Sequence, residues 1–155
     1  MTGLLSRTTF AYEETQSYLA TSGRNALVEA YLVQYLLVCF YSEIEERIKE
    51  VIESRIREIN DPKVASFIIK TSQGMIRRVK KAEINDILTK FDCGEGDIIS
   101  ELLSDMNLQP YFDAITNRHL VSHGQGVSMT LDYFGMAIPC GEAILQKITE
   151  TLANN

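Results

Sequence analysis

Apolar side chains recur along most of this chain at spacings of three and four residues and show no convincing alternation of period two, so the pattern predicts an all-α domain. The longest run begins at Asn25 and reaches about Ile59. It passes through Leu32, Leu36, Leu37, Phe40, Ile44, Ile48, Val51, Ile52 and Ile56, which predicts one unusually long helix with a continuous apolar stripe. In the second half of that helix charge surrounds the stripe, and Glu43 with Arg47 and Glu45 with Lys49 stand four apart. That face is expected to be solvated or to lie against a partner. A shorter helix precedes it, from about Thr9 to Leu19, and Thr21-Ser22-Gly23 breaks it.

Further along, Asn60-Asp61-Pro62 offers a cap and a proline for the first helical position, so a third helix is expected over about Pro62 to Lys70. Two more, about Ala82 to Phe91 and Asp97 to Met106, are joined by the turn Asp92-Cys93-Gly94-Glu95-Gly96, and both are too short to stand without packing. Gln109-Pro110 opens the next helix and Gly124-Gln125-Gly126 closes it. Thr130 then caps a last helical stretch to about Leu152, expected to be kinked or restarted at Pro139. With no repeat, linker or low-complexity tract, a single domain over 1–155 is expected.

Composition narrows what such a domain can do. A net charge of -6 argues against a protein that coats nucleic acid by bulk electrostatics, so any contact with RNA or DNA must be local. Cys39, Cys93 and Cys140 are odd in number, far apart and without a Cys-x-x-Cys pair, which fits reduced thiols in a cytosolic protein. The N-terminus lacks the basic region and long apolar core of a secretory signal, so a cytoplasmic location is expected. The most apolar run, Ala30 to Tyr41, is interrupted by Gln34 and falls short of the roughly 20 residues that cross a bilayer, so no membrane role is expected.

Candidate chemistry concentrates in Asn117-Arg118-His119-Leu120-Val121-Ser122-His123-Gly124, which holds an arginine and both histidines of the chain near the end of a predicted helix. Histidine titrates where proton transfer near neutral pH needs it, and the guanidinium fork fits phosphate, so the cluster reads as phosphodiester chemistry. His119 and His123 are four apart and share a helix face. Arg118 and His123 are five apart and point about 140° away from each other around the axis at about 100° per residue. They converge if the helix end frays, or if a two-fold axis brings the same helix of a second chain alongside. His123 also lies in the last turn, where the helix dipole favours the imidazolium by about 0.3 to 1 kcal/mol, which suits a general acid.

Plainer readings stand beside this one. A histidine near a helix C-terminus is often only a cap for the last carbonyls. His119 and His123 could be half of a zinc site, but one or two further ligands are missing and no Glu lies between them as in His-Glu-x-x-His, so no metal or other cofactor is expected. Arg77, Arg78, Lys80 and Lys81 form the basic cluster of the chain, which either holds RNA phosphates or is a solvated face. Tyr31, Tyr35, Phe40 and Tyr41 match helical packing better than base stacking and are expected in the core or at a dimer contact.

The Arg-x4-His spacing alone is a weak signal, but its context resembles the HEPN superfamily. There the motif is Arg-x4-6-His with a polar residue after the arginine, the slot that His119 fills here. The resemblance extends through Phe40-Tyr41-Ser42-Glu43-Ile44-Glu45, Asn60-Asp61-Pro62-Lys63-Val64-Ala65-Ser66-Phe67 and Val127-Ser128-Met129-Thr130-Leu131-Asp132, and is nearest to RiboL-PSP and MAE-type HEPN nucleases. It implies a small HEPN-like helical bundle, a homodimer with the motif helices at the interface, and metal-independent RNA cleavage.

On this sequence the implied pair is Arg118 and His123, with His119 as the polar neighbour. The implied reaction is attack of the ribose 2′-hydroxyl on the adjacent phosphate. Ser122 could orient these groups, with Asn117 and Glu45 as weaker supporting candidates. Where related toxins carry a tyrosine two residues after the motif histidine, this chain has Gln125, so nucleotidylation at that site is not implied. The expectation is thus an endoribonuclease of toxin or phage-defence type, with RNA as substrate and an antitoxin or neighbouring-gene product as possible partner. The alternative is a catalytically silent HEPN interaction module that binds a nucleotide, RNA or a partner protein.

Overall fold

The computed structural model describes residues 3–72 and 79–153. Among them it forms an all-α bundle of seven helices: α1 Ser6–Ser22, α2 Ala26–Arg57, α3 Pro62–Ser72, α4 Lys81–Lys90, α5 Ile98–Leu102, α6 Gln109–Ser122 and α7 Leu131–Ala153. The long helix is the axis of the fold, and α1, α3, α6 and α7 all pack on it. Its start is set by Asn25, whose side chain accepts from the Leu27 and Val28 N–H groups, the expected cap for two orphan donors.

The stripe read from the sequence is the core. Leu36, Leu37, Phe40, Ile44 and Ile48 of α2 are buried against Tyr111, Ala114 and Ile115 of α6 and Phe134, Ala137, Ile144 and Ile148 of α7. Phe40 is the junction of the three helices, with edge-on ring contacts to Tyr111 and Phe134 at 5.8 Å each. Close approach of α7 depends on Gly141, where a Cβ would come within 2.9 Å of the Phe40 ring.

Several local expectations are corrected. Glu43 does not pair with Arg47 on a solvated face. It is fully buried, and its carboxylate accepts from the N–H groups of Arg7 and Thr8 at 3.1 and 2.8 Å and from the Thr8 hydroxyl at 2.7 Å. It thus serves as the cap of α1, whose own N-cap residue, Leu5, has no side-chain acceptor to offer; Glu142 of α7 accepts from the Leu5 N–H at 3.3 Å. Arg47 turns instead to Glu50 and the Leu4 carbonyl.

The helix expected from Asp97 to Met106 closes after Leu102. The last helix runs without restart through Pro139. Of the four aromatics assigned to core or dimer contacts, Phe40 and Tyr41 are buried, whereas Tyr31 and Tyr35 are 62% and 59% exposed. The helix that contains the apolar run is also longer than that run, and by length and composition alone it is sufficient to cross a bilayer. Cys140 is buried, and desolvation pushes its thiol up.

Candidate functional site

The site is built at the end of α6, which Pro110 helps to open from N1/N2 and a glycine closes. His123 is the C-cap and Gly124 follows at φ 69°, in the left-handed region. The Gly124 N–H donates to the Val121 carbonyl and the Gln125 N–H reaches back to the Leu120 carbonyl, each at 3.0 Å. These two bonds are the Schellman closure that a glycine after the last turn permits. They fix where His123 leaves the helix, exposed to solvent.

The two imidazoles lie edge to face, with centroids 4.6 Å apart, as their spacing on one helix face predicts. Beneath them the Ser122 hydroxyl donates to the His119 carbonyl at 2.6 Å. Ser122 is therefore tied to the helix backbone.

Arg118 points elsewhere. Its guanidinium carbon stands 4.2 Å from the centroid of the Tyr41 ring on α2, a cation–π contact on a phenol only 8% exposed. Burial raises the Tyr41 pKa; the Arg118 charge and the Val79 N–H at the phenolic oxygen oppose that rise, and the carboxylates Glu45 and Glu83 add to it. Behind Tyr41, the wholly buried Tyr111 donates its hydroxyl to the Val79 carbonyl at 2.7 Å, and burial pushes its phenol far above the ordinary range. Two tyrosines from α2 and α6 thus grip the backbone of Val79 just ahead of α4, and Arg118 rests on this platform.

Arg118 and His123 share no hydrogen bond or ring contact, as about 140° of helical rotation requires. Glu45 is near enough to act on Tyr41, and its carboxylate is engaged by Lys49 one turn on. Asn117 turns inward. Its amide donates to the Asp113 carbonyl at 2.9 Å and its oxygen accepts from the Ser128 N–H at 3.3 Å, which pins the loop after α6 to the helix.

In the basic cluster, Lys80 is exposed at the start of α4, while the Lys81 ammonium pairs with Asp97 and lies 5.7 Å from the centroid of the Phe112 ring. Arg77 and Arg78 lie outside the described residues. Among the described residues no three His, Cys, Asp or Glu side chains gather as a metal site.

Sequence reasoning missed the platform. The helical spacing marks Tyr41 as a packing aromatic, and its signal is its place four residues after Leu37, on the flank of the core stripe nearest α6. Val79 carries no sequence signal of this role, because its part is played by its backbone. No protein-family model, curated protein or solved structure matches this chain.

Proposed function

We propose that this protein is a metal-independent endoribonuclease of toxin or phage-defence type, acting in the cytoplasm as a homodimer, with Arg118 and His123 contributing to a composite site. The observation that carries the reading is that one helix end holds a guanidinium fixed on an aromatic ring and, five residues later, an imidazole fixed at a glycine-closed terminus in solvent. The resemblance to HEPN nucleases supplies the chemistry. The 2′-oxygen bonds to phosphorus as its proton passes to a base. The bond to the 5′-oxygen breaks, and that oxygen takes up a proton. The products are a 2′,3′-cyclic phosphate and a 5′-hydroxyl. His123 exchanges the proton with nucleophile or leaving group, Arg118 stabilises the phosphoryl oxygens, and His119 orients its neighbour.

A second copy fits this geometry, because Arg118 and His123 of one chain diverge and a two-fold axis pairs each with its counterpart. An apolar surface suited to that contact runs along α2 through Val28, Tyr31, Tyr35 and Val38, all exposed at spacings of three and four. Phe10 and Tyr18 of α1 flank it, and two turns beyond its end lies Glu45, beside the Tyr41 platform.

The engagement of Arg118 by Tyr41 favours a second reading, a HEPN-type interaction module that binds a nucleotide, RNA or a neighbouring-gene partner without cleaving. Cleavage of total RNA and tRNA in EDTA, with end-group analysis, separates the two. Endoribonuclease action predicts cyclic phosphate ends that are lost in both Arg118→Ala and His123→Ala. Equal cutting by wild type and variants, or none at all, leaves the interaction module.

A further inference from the structure

Among the described residues, every lysine and arginine pairs with a carboxylate except Lys63, Lys70, Lys80 and Arg118. Arg118 lies on the Tyr41 ring, and the other three are exposed. The sequence around those three holds no acid from Pro62 to Ala82, and the Asp61 carboxylate just before α3 accepts from the Lys63 and Val64 N–H groups. In a chain of net charge -6, uncommitted positive charge is thus confined to α3, the start of α4 and the Arg118 site.

Helix α3 turns Ala65 and Ile69 into the core. Lys63, Phe67 and Lys70 fall within about 60° of one another on its outer side, at about 100° per residue. Phe67 is 68% exposed, more than any other large apolar side chain among the described residues. Pro62 and Ala65 lie beside Arg57 and Ile59, while Ile68 and Ser72 lie beside Ile52 and Ile56. So α3 runs back along α2 in the direction of Tyr41, as a short connection between helices requires. Lys80 then follows next to Val79, whose backbone the two tyrosines hold. The free cations succeed one another from the far end of α3 toward Arg118.

From this face we infer a binding surface for single-stranded RNA on α3, with a base stacked on Phe67 and the flanking phosphates held by Lys63 and Lys70. An exposed ring between free ammonium groups offers both halves of what an unpaired strand presents, a π-face and a phosphate. The exposed aromatics along α2 lack this pairing, because Glu46 holds the neighbouring Arg7 and Glu14 borders the same groove. An anionic bilayer wants a broad apolar face, whereas α3 exposes only Val64 and Phe67 among its large apolar residues. The choice of RNA over DNA rests on the nuclease reading; the surface itself shares no residue with the Arg118 and His123 motif.

The test is fluorescence anisotropy of the full chain with a labelled 2′-O-methyl oligouridine of about 12 nucleotides, within the span that such surfaces cover. Phe67→Ala should weaken binding about tenfold. Lys63→Ala and Lys70→Ala should each flatten the slope of log affinity against log salt by about 0.7. The chain has no tryptophan, so Phe67→Trp supplies a single reporter that should keep its affinity and be quenched by the stacked base. No saturable binding, binding unchanged by Phe67→Ala, or an unquenched Trp variant overturns the inference, as does equally tight binding of poly-glutamate or of phosphatidylserine vesicles. The probe has no free 2′-hydroxyl, so binding is read apart from cleavage. RNA cut by a protein whose Phe67→Ala form binds like wild type removes this surface and leaves the nuclease; Phe67-dependent binding without any cutting removes the nuclease and leaves this surface.

Discussion

At the scale of the residue, Glu43 shows how an acid can hide inside an apolar stripe. It lies seven residues after Leu36 and three after Phe40, in register with the core, and that register was the legible sign that it is not a surface charge. Its neighbours in sequence suggested an exposed ion pair because Arg47 stands at the favourable spacing. The acceptor's true partners, two N–H groups and a hydroxyl at the start of α1, are supplied by a different helix that no local pattern names. Glu43→Ala leaves those donors without an acceptor in a dry site and should cost about 3 kcal/mol in urea denaturation, with Glu43→Gln recovering part of it. Arg118 and His123 were legible for the opposite reason, since both histidines of the chain fall beside an arginine within six residues. What they face was not legible, because Tyr41 and Val79 reach the site only through the tertiary packing of α2 and α6.

Among the elements, helix starts and stops read well wherever a short-range device sets them. Asn25, Asp61 and Thr130 each accept an N–H from the first turn that follows, and Gly124 closes α6 as a glycine in that position should. Nothing lies within 4 Å of a Cβ added at Gly124, so Gly124→Ala strains the backbone without a clash. It should lower stability by about 1 kcal/mol and shift the His123 ring resonances, which NMR and a urea midpoint together would register.

The early end of α5 was harder to foresee, because its start is held from α4. Asn85 accepts from the Ile99 N–H and donates to Asp97, which also pairs with Lys81. Lys81 holds the Asp97 carboxyl down at about 2, with Asn85 and Ser100 assisting. A depressed carboxyl stabilises the fold above its unfolded value near 4 and loses that contribution as the pH falls toward 2. The pair is largely exposed, so screening limits its worth to about 0.5 kcal/mol. Urea midpoints of wild type and Asp97→Asn should differ at pH 6 and converge near pH 2.

For the whole molecule, the all-α architecture followed from periodicity alone, since seven amphipathic segments of these lengths have few ways to bury their stripes other than around the longest one. The exposed face of α2 was less legible. The first half of that helix carries apolar residues on two sides, and only the packing of α1, α6 and α7 decides which side becomes core. The side left open, through Tyr31 and Tyr35, predicts self-association. Light scattering at micromolar concentration should report a dimer, and Tyr35→Asp should return a monomer with unchanged helical content; a wild-type monomer would count against the composite site.

The manner in which α1 is capped governs the order of events along the folding path. Its first turn is completed by carboxylates 35 and 137 positions away in sequence, on helices that must already lie side by side before either can reach it. An isolated segment of this length without a start signal is marginal in water. Helix α1 therefore joins a preformed pairing of α2 and α7 and is the first to leave it. Its amides should exchange hydrogen through an opening smaller than global unfolding, ahead of those in α2, in a native-state exchange experiment.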